Sequence, residues 1–210
     1  MKAFIFDMDG VIIDSEPIHF QVDIETMKHL GCNMSKKELE KYVGTTNEYM
    51  LTDIKKNYNI KESIEEITEY KMKLTKRKII ESDLEPIEGI KELLVNLKEN
   101  SIPAAIASSS PIDFINIVVE KFKIRDYFQY IVSGEEVENG KPAPDIYIET
   151  AKKLGFDPKD CTVIEDSKNG VQAAKSAGMK CIGFANVNSG NQDLSKADII
   201  VDSIKEIDIS

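Results

Sequence analysis

The chain has 210 residues, 41% hydrophobic and 30% charged, with a formal net charge of −10. Such an acidic surface repels nucleic acid and anionic membranes, and no stretch approaches the roughly 20 apolar residues that span a bilayer. Cys32, Cys161 and Cys181 are odd in number, widely spaced and without a C-x-x-C, which argues against a disulfide framework or a zinc site.

A chain of this size buries roughly 70% of its unfolded surface and needs neither staple nor structural metal. Cys161 and Cys181 sit in apolar stretches and read as small buried hydrophobes. Reducing cytoplasm is the expected compartment. The opening MKAFIFDMDG reads as a first strand rather than a signal peptide.

That strand covers Lys2 to Phe6 and stops at Asp7. From about Glu16 to Lys78 the period becomes helical. Phe20, Ile24, Met27 and Leu30 fall on one helix face, and Gly31 follows as a stop. Ser35 with Glu38 three residues on resembles a capping box. Further helices are predicted over Thr46 to Asn57 and over Lys61 to Lys78, the latter with Ile64, Ile67 and Leu74 on one side. The block reads as a small helical bundle, residues 15–81, inserted into a core made of 1–14 and 82–210.

After Pro86 the period alternates. Ile90, Leu93, Leu94 and Leu97 mark a helix, and Pro103 to Ala107 a strand ending at Ser108-Ser109-Ser110. Ile115, Val118, Val119 and Phe122 mark a helix, and Tyr130 to Val132 a short strand. Ile146 to Leu154 is helical and closed by Gly155. Thr162 to Ile164 is a strand ending at Glu165-Asp166. Val171 to Ala177 is helical and closed by Gly178, and Lys180 to Phe184 and Asp198 to Val201 complete the strands. Asn186 to Ser195 is a polar loop, long enough to be mobile. Strands alternating with helices over short loops imply right-handed βαβ units. The predicted class is α/β: a Rossmann-like parallel sheet core with an inserted helical-bundle cap.

Polar residues gather where the apolar strands stop, at the edge where open α/β sheets bind ligands. Asp7 and Asp9, then Ser108 to Ser110, then Glu165 and Asp166 arrive there. Each has a plainer reading. Asp-Gly is a common turn, a serine triplet is ordinary loop, Asp166-Ser167 is a fair helix N-cap, and Lys141 alone is a surface lysine. The Asp7, Asp9, Gly10 spacing faintly suits a calcium loop, but Val11, Ile12 and Ile13 do not. Together the groups read differently. Four carboxylates at buried strand ends repel one another unless a cation sits among them, and magnesium, hard and oxygen-seeking, fits.

At these residues the sequence resembles the haloacid dehalogenase superfamily over essentially the whole chain. Four segments carry the likeness: Asp7-Met8-Asp9-Gly10-Val11; Ser108 after Ile106-Ala107; Lys141 in Lys141-Pro142-Ala143-Pro144-Asp145; and Glu165-Asp166-Ser167. Asp14-Ser15-Glu16-Pro17 and His19 resemble the subgroup that contains β-phosphoglucomutase and sugar-phosphate phosphatases. The resemblance implies that Asp7 attacks phosphorus and that Asp9 serves as acid and base. It implies phosphate-binding roles for Met8, Ser108, Ser109 and Lys141. Magnesium is expected at Asp7, Asp166 and the Asp9 backbone carbonyl, with Glu165 supporting through water.

Substrate choice is expected in the cap, at Glu16, His19, Asn47, Lys71 and Lys76. The mutases carry a distal-phosphate arginine after Gly44-Thr45-Thr46, where this chain has Asn47, and a lysine where it has Pro111. Neither replacement supplies the charge. The expected protein is a monomer that hydrolyses a small phosphate monoester, with no nucleic acid or membrane partner. The rivals are phosphoryl transfer on β-glucose phosphate, haloacid dehalogenation, and a non-catalytic binding module.

Overall fold

Strand β1 (Ala3–Phe6) is buried at every residue, the pattern of a strand covered on both faces. The computed structural model describes residues 2–42 and 47–209, and for 36, 40, 47 and 48 the backbone alone. Gly44-Thr45-Thr46 and the side chain of Asn47 therefore lie outside the described residues. Packing divides the chain into two compact units, Met1–Asp14 with Asp83–Ser210, and Ser15–Ser82.

The second unit holds α1 (Glu16–His29), α2 (Lys36–Glu40), α3 (Asn47–Tyr58) and α4 (Ile64–Glu81). Its core is Met27, Cys32, Leu39, Tyr42, Met50, Leu51, Ile54 and Ile67, with Phe20, Leu30 and Ile64 packed against it. Ile24 departs from the predicted stripe and is 36% exposed. The buried arc of α1 runs through Ile18, Val22, Thr26 and Met27, which leaves Ile24 on its rim. Ser35 forms the predicted capping box with Glu38. Ser63 forms a second with Glu66, and so α4 begins at Ile64 rather than at Lys61.

The first unit continues with α5 (Ile90–Glu99), β2 (Ala104–Ser108), α6 (Ile112–Lys121), β3 (Phe128–Ser133) and α7 (Asp145–Leu154). It closes with β4 (Cys161–Glu165), α8 (Lys168–Ser176), β5 (Lys180–Phe184) and β6 (Ile199–Val201). The strands form one parallel sheet in the order β3-β2-β1-β4-β5-β6. β3 outruns its predicted span because pairing with β2 carries on from Phe128 to Ser133. Cys161 and Cys181 are fully buried in the sheet core, among Ile5, Ala105, Val163 and Tyr147. On the other face Phe6 meets Phe128 edge-on at 5.7 Å. The chain runs to opposite sides of β1 in its two halves, so the switch point lies between β1 and β4. Phe6 pairs with Ile164 there, and the next residues on both strands are acidic. Among the described residues no helix is long and apolar enough to cross a membrane.

Candidate active site

Beyond β1 the Asp7 N–H donates to the Ile164 carbonyl at 3.0 Å, which extends the ladder into the acidic segment. The chain then turns tightly. Gly10 N–H donates to Ile13 O at 2.8 Å, and Ile12 N–H to Met8 O at 2.8 Å. Met8, Val11, Ile12 and Ile13 are fully buried. The turn is thus plugged into the core by its apolar residues, which explains why the calcium-loop spacing is accompanied by the wrong residues. Gly10 has φ +82°, and a Cβ there would overlap the Asp166 carboxylate. Backbone shape and close approach both require glycine.

Glu165, the last residue of β4, and Asp166, which follows it, are both buried. Glu165 Oε1 accepts from Lys141 Nζ at 2.7 Å and Tyr147 Oη at 2.8 Å. Its Oε2 accepts from Asp166 N, Ser167 N and Ser167 Oγ, each at 3.0 Å. Ser167 also caps α8 by accepting from Gly170 N–H. A Cβ on Gly170 would overlap the Glu165 carboxylate. Among the described residues the side-chain donor to Asp166 is Ser189, whose hydroxyl bonds Oδ2.

Lys141 departs from the surface-lysine reading: its side chain is only 7% exposed. The ammonium lies 2.5 Å from Asp7 Oδ1, 3.3 Å from the Ala107 carbonyl and 4.9 Å above the Tyr147 ring. The Lys141–Pro142 peptide is cis. At the end of β2, Ser108 is buried and its Oγ accepts from Ser110 N–H at 3.1 Å. Ser110 Oγ in turn donates to Asp9 Oδ2 at 2.8 Å. Ser109 is exposed.

Asp7, Glu165 and Asp166 each offer an oxygen within 4.8 Å of the others. Asp9 is expected to contribute its backbone carbonyl, which lies outside a set of side-chain atoms; its carboxylate is turned to Ser110. Burial raises the Asp7 pKa well above the usual range, Lys141 opposes this, and Glu165, Asp166 and Asp9 add to it. Burial and the Glu165 charge push Asp166 up to about 7. Glu165 goes the other way. Burial opposes its ionisation, but the Lys141 pairing and the hydrogen bonds outweigh it. Asp7 and Glu165 likewise hold the Lys141 ammonium protonated against its burial. One cation thus faces three carboxylates. The surplus negative charge and the all-oxygen donor set fit a hard divalent cation such as magnesium.

The residues expected from the helical unit are placed within that unit alone. Glu16 is exposed at the start of α1, and His19 is half-buried one turn on. Lys71 on α4 pairs with Asp23 on α1, so its charge is engaged. Lys76 is half-buried on α4.

Sequence reasoning missed several residues. Tyr147 was hidden because a tyrosine in an apolar helical stripe reads as core, and only its hydroxyl is polar. The Asn186–Ser195 loop, expected to be mobile, is tied down. Asn186 Nδ2 donates to the Gly10 carbonyl at 2.9 Å and Asn188 Nδ2 to Asp14 Oδ2 at 2.5 Å. Part of its polarity serves partners within the protein while Asn188, Asn191, Gln192 and Asp193 also face water, and composition does not separate the two.

The family profile described as "haloacid dehalogenase-like hydrolase" matches residues 4–184. A phosphorylated carbohydrates phosphatase from Thermotoga maritima is 31% identical over 99% of this chain and 100% of its own length. A β-phosphoglucomutase from Bacillus subtilis is 33% identical over 96% of this chain and 89% of its own. Among solved structures, CbbY from Rhodobacter sphaeroides in complex with phosphate superimposes with a TM-score of 0.84. It is 26% identical, covering 98% of this chain and 96% of that one.

Proposed function

The chain belongs to the haloacid dehalogenase-like hydrolases, and from that premise we propose that it is a magnesium-dependent phosphatase acting on a phosphorylated carbohydrate through an aspartyl-phosphate on Asp7. The observation that carries this reading is the buried contact of Lys141 with both Asp7 and Glu165, beside Asp166. It supports a site built for a dianion, in which the carboxylates are matched by a cation and a lysine.

In this reading Asp7 attacks phosphorus as the bond to the sugar oxygen breaks, and Asp9 gives that oxygen a proton. Water then attacks the phosphorus, Asp9 takes the water's proton, and the bond to Asp7 breaks to release inorganic phosphate. The Ser110 hydroxyl orients the Asp9 carboxylate throughout. Lys141 and Ser108 hold the equatorial phosphoryl oxygens, where transition-state charge is spread. Asp7, Asp166 and the Asp9 carbonyl, with Glu165 close by, would hold magnesium, which would supply charge against carboxylate–phosphate repulsion and polarise the phosphoryl oxygens. The helical unit is assigned the choice of sugar.

The test is phosphate release from a sugar-phosphate panel with magnesium. Wild type should exceed Asp7→Asn by at least about a hundredfold on some member, as loss of a covalent nucleophile requires. No member turned over faster by wild type would end the reading. The second reading is transfer between positions of a glucose phosphate, favoured by the mutase relative. Asn47 and Pro111, in place of the two mutase cations, count against it. It requires glucose 6-phosphate to form from β-glucose 1-phosphate when primed with the bisphosphate.

A further inference from the structure

The three acids of the cluster are held unequally. Glu165 accepts five hydrogen bonds from donors on three segments. Asp7 is fastened by Lys141. Among the described residues the Asp166 carboxylate takes one hydrogen bond from another side chain, the Ser189 hydroxyl 23 residues along the chain, beside one from its own backbone. A Cβ on Gly10 would lie 2.9 Å from that hydroxyl, so Ser189, Asp166 and Gly10 converge on one point.

The loop that carries Ser189 is anchored on every side. Asn186 bonds the Gly10 carbonyl, and Asn186 O accepts from Ser189 N–H at 3.1 Å. Asn188 bonds Asp14. Gln192 Nε2 donates to Ser189 O at 3.0 Å, while its Oε1 accepts from Lys168 N–H, at the start of α8, at 3.1 Å. Ser189 is therefore delivered from β5 to a residue at the end of β4 by a framework that grips both. A carboxylate left to rotate must be ordered when it captures a cation; one already fixed by a neighbouring hydroxyl has less freedom to lose.

We propose that Ser189 is a positioning residue that pre-orients the Asp166 carboxylate for the metal, with Asn186, Asn188 and Gln192 holding the loop in place. The inference rests on the magnesium reading given above. It is tested by titrating magnesium into metal-free wild type, Ser189→Ala, Ser189→Thr and Val187→Ser by calorimetry at constant ionic strength. Val187 is 91% exposed in the same loop and serves as the control.

Ser189→Ala should raise the magnesium Kd about tenfold, the usual effect of losing a partner of a metal ligand, with the metal-free urea midpoint unchanged. Ser189→Thr, which keeps the hydroxyl, should restore binding, and Val187→Ser should match wild type. A wild-type Kd in Ser189→Ala overturns the proposal and leaves the proposed function standing. So does a loss in Ser189→Ala that Ser189→Thr shares, or one matched by lower metal-free stability. Wild type that takes up no magnesium overturns both.

Discussion

Gly170 sets two residue-scale effects against each other. It lies in the first turn of α8, where alanine would favour the helix by up to about 1 kcal/mol. Its missing Cβ also makes room for the Glu165 carboxylate. That carboxylate is held on every side, because its two oxygens are bonded to donors from the Lys141 loop, from α7 and from the Asp166-Ser167 segment that caps α8. The clash should win. Gly170→Ala is expected to destabilise the protein by about 1–3 kcal/mol, as overpacking does, measured by urea unfolding; a variant as stable as wild type would show that Glu165 can move. The sequence made Asp7, Ser108, Lys141, Glu165 and Asp166 legible because each stands at a strand end or beside a proline-marked loop. The structure brings Lys141 into contact with Asp7 and Glu165, with an Asp166 oxygen within 4.8 Å of those of the other two acids. Ser110 was legible only as part of its triplet, and which serine turns inward depends on the exit angle of β2. Ser189 left no signal, since a serine before glycine in a polar loop is commonplace.

At the scale of elements, the end of β3 illustrates how a terminus is fastened. Ser133 N–H donates to Glu136 Oε1 at 3.0 Å, and Lys153 on α7 reaches Glu136 Oε2 at 2.5 Å. The Ser133 hydroxyl donates to the Ser110 carbonyl at 2.7 Å, which steadies the loop after β2. The Lys153 bond, then the Ser133 N–H, hold the Glu136 pKa below its usual value. A depressed acid stabilises the fold above its unfolded pKa of about 4.3, and the contribution is lost as pH falls through the lower folded value. Glu136→Gln should therefore cost about 0.5 kcal/mol at pH 7, a modest figure for a pair in contact with solvent, and less at pH 3. Urea midpoints at the two pH values check this, and an equal deficit at both would assign the effect to packing. The elements themselves were legible through period and caps. The Ser35 box and the stops at Gly155 and Gly178 stand as read. The misplacements were at ends, where a cap such as Ser63 or a ladder such as β2–β3 decides the last residues, and at Ile24 on the rim of a buried arc.

For the molecule as a whole, charge and topology have separate consequences. A net charge of −10 opposes the approach of a dianionic ester. Added salt screens that repulsion, with a Debye length of about 8 Å at 0.15 M. At saturating magnesium, kcat/KM for a sugar phosphate should therefore rise as sodium chloride goes from about 0.01 to 0.15 M. A fall would mean that the positive field at Lys141 governs encounter instead. Sheet class was legible from alternating periods, whereas strand order was not, because neighbours in a sheet are chosen by tertiary packing rather than by local pattern. That order has a further consequence through one backbone bond. Ile87 N–H donates to the Ile12 carbonyl at 2.9 Å, close to the two points where Ser15–Ser82 departs from and rejoins the α/β unit. The excursion is pinched shut at its base, so its length is nearly invisible to the sheet. Doubling it would add only about 0.6 kcal/mol of closure entropy. Lineages can lengthen, trim or exchange that module as a cassette while the sheet keeps its register.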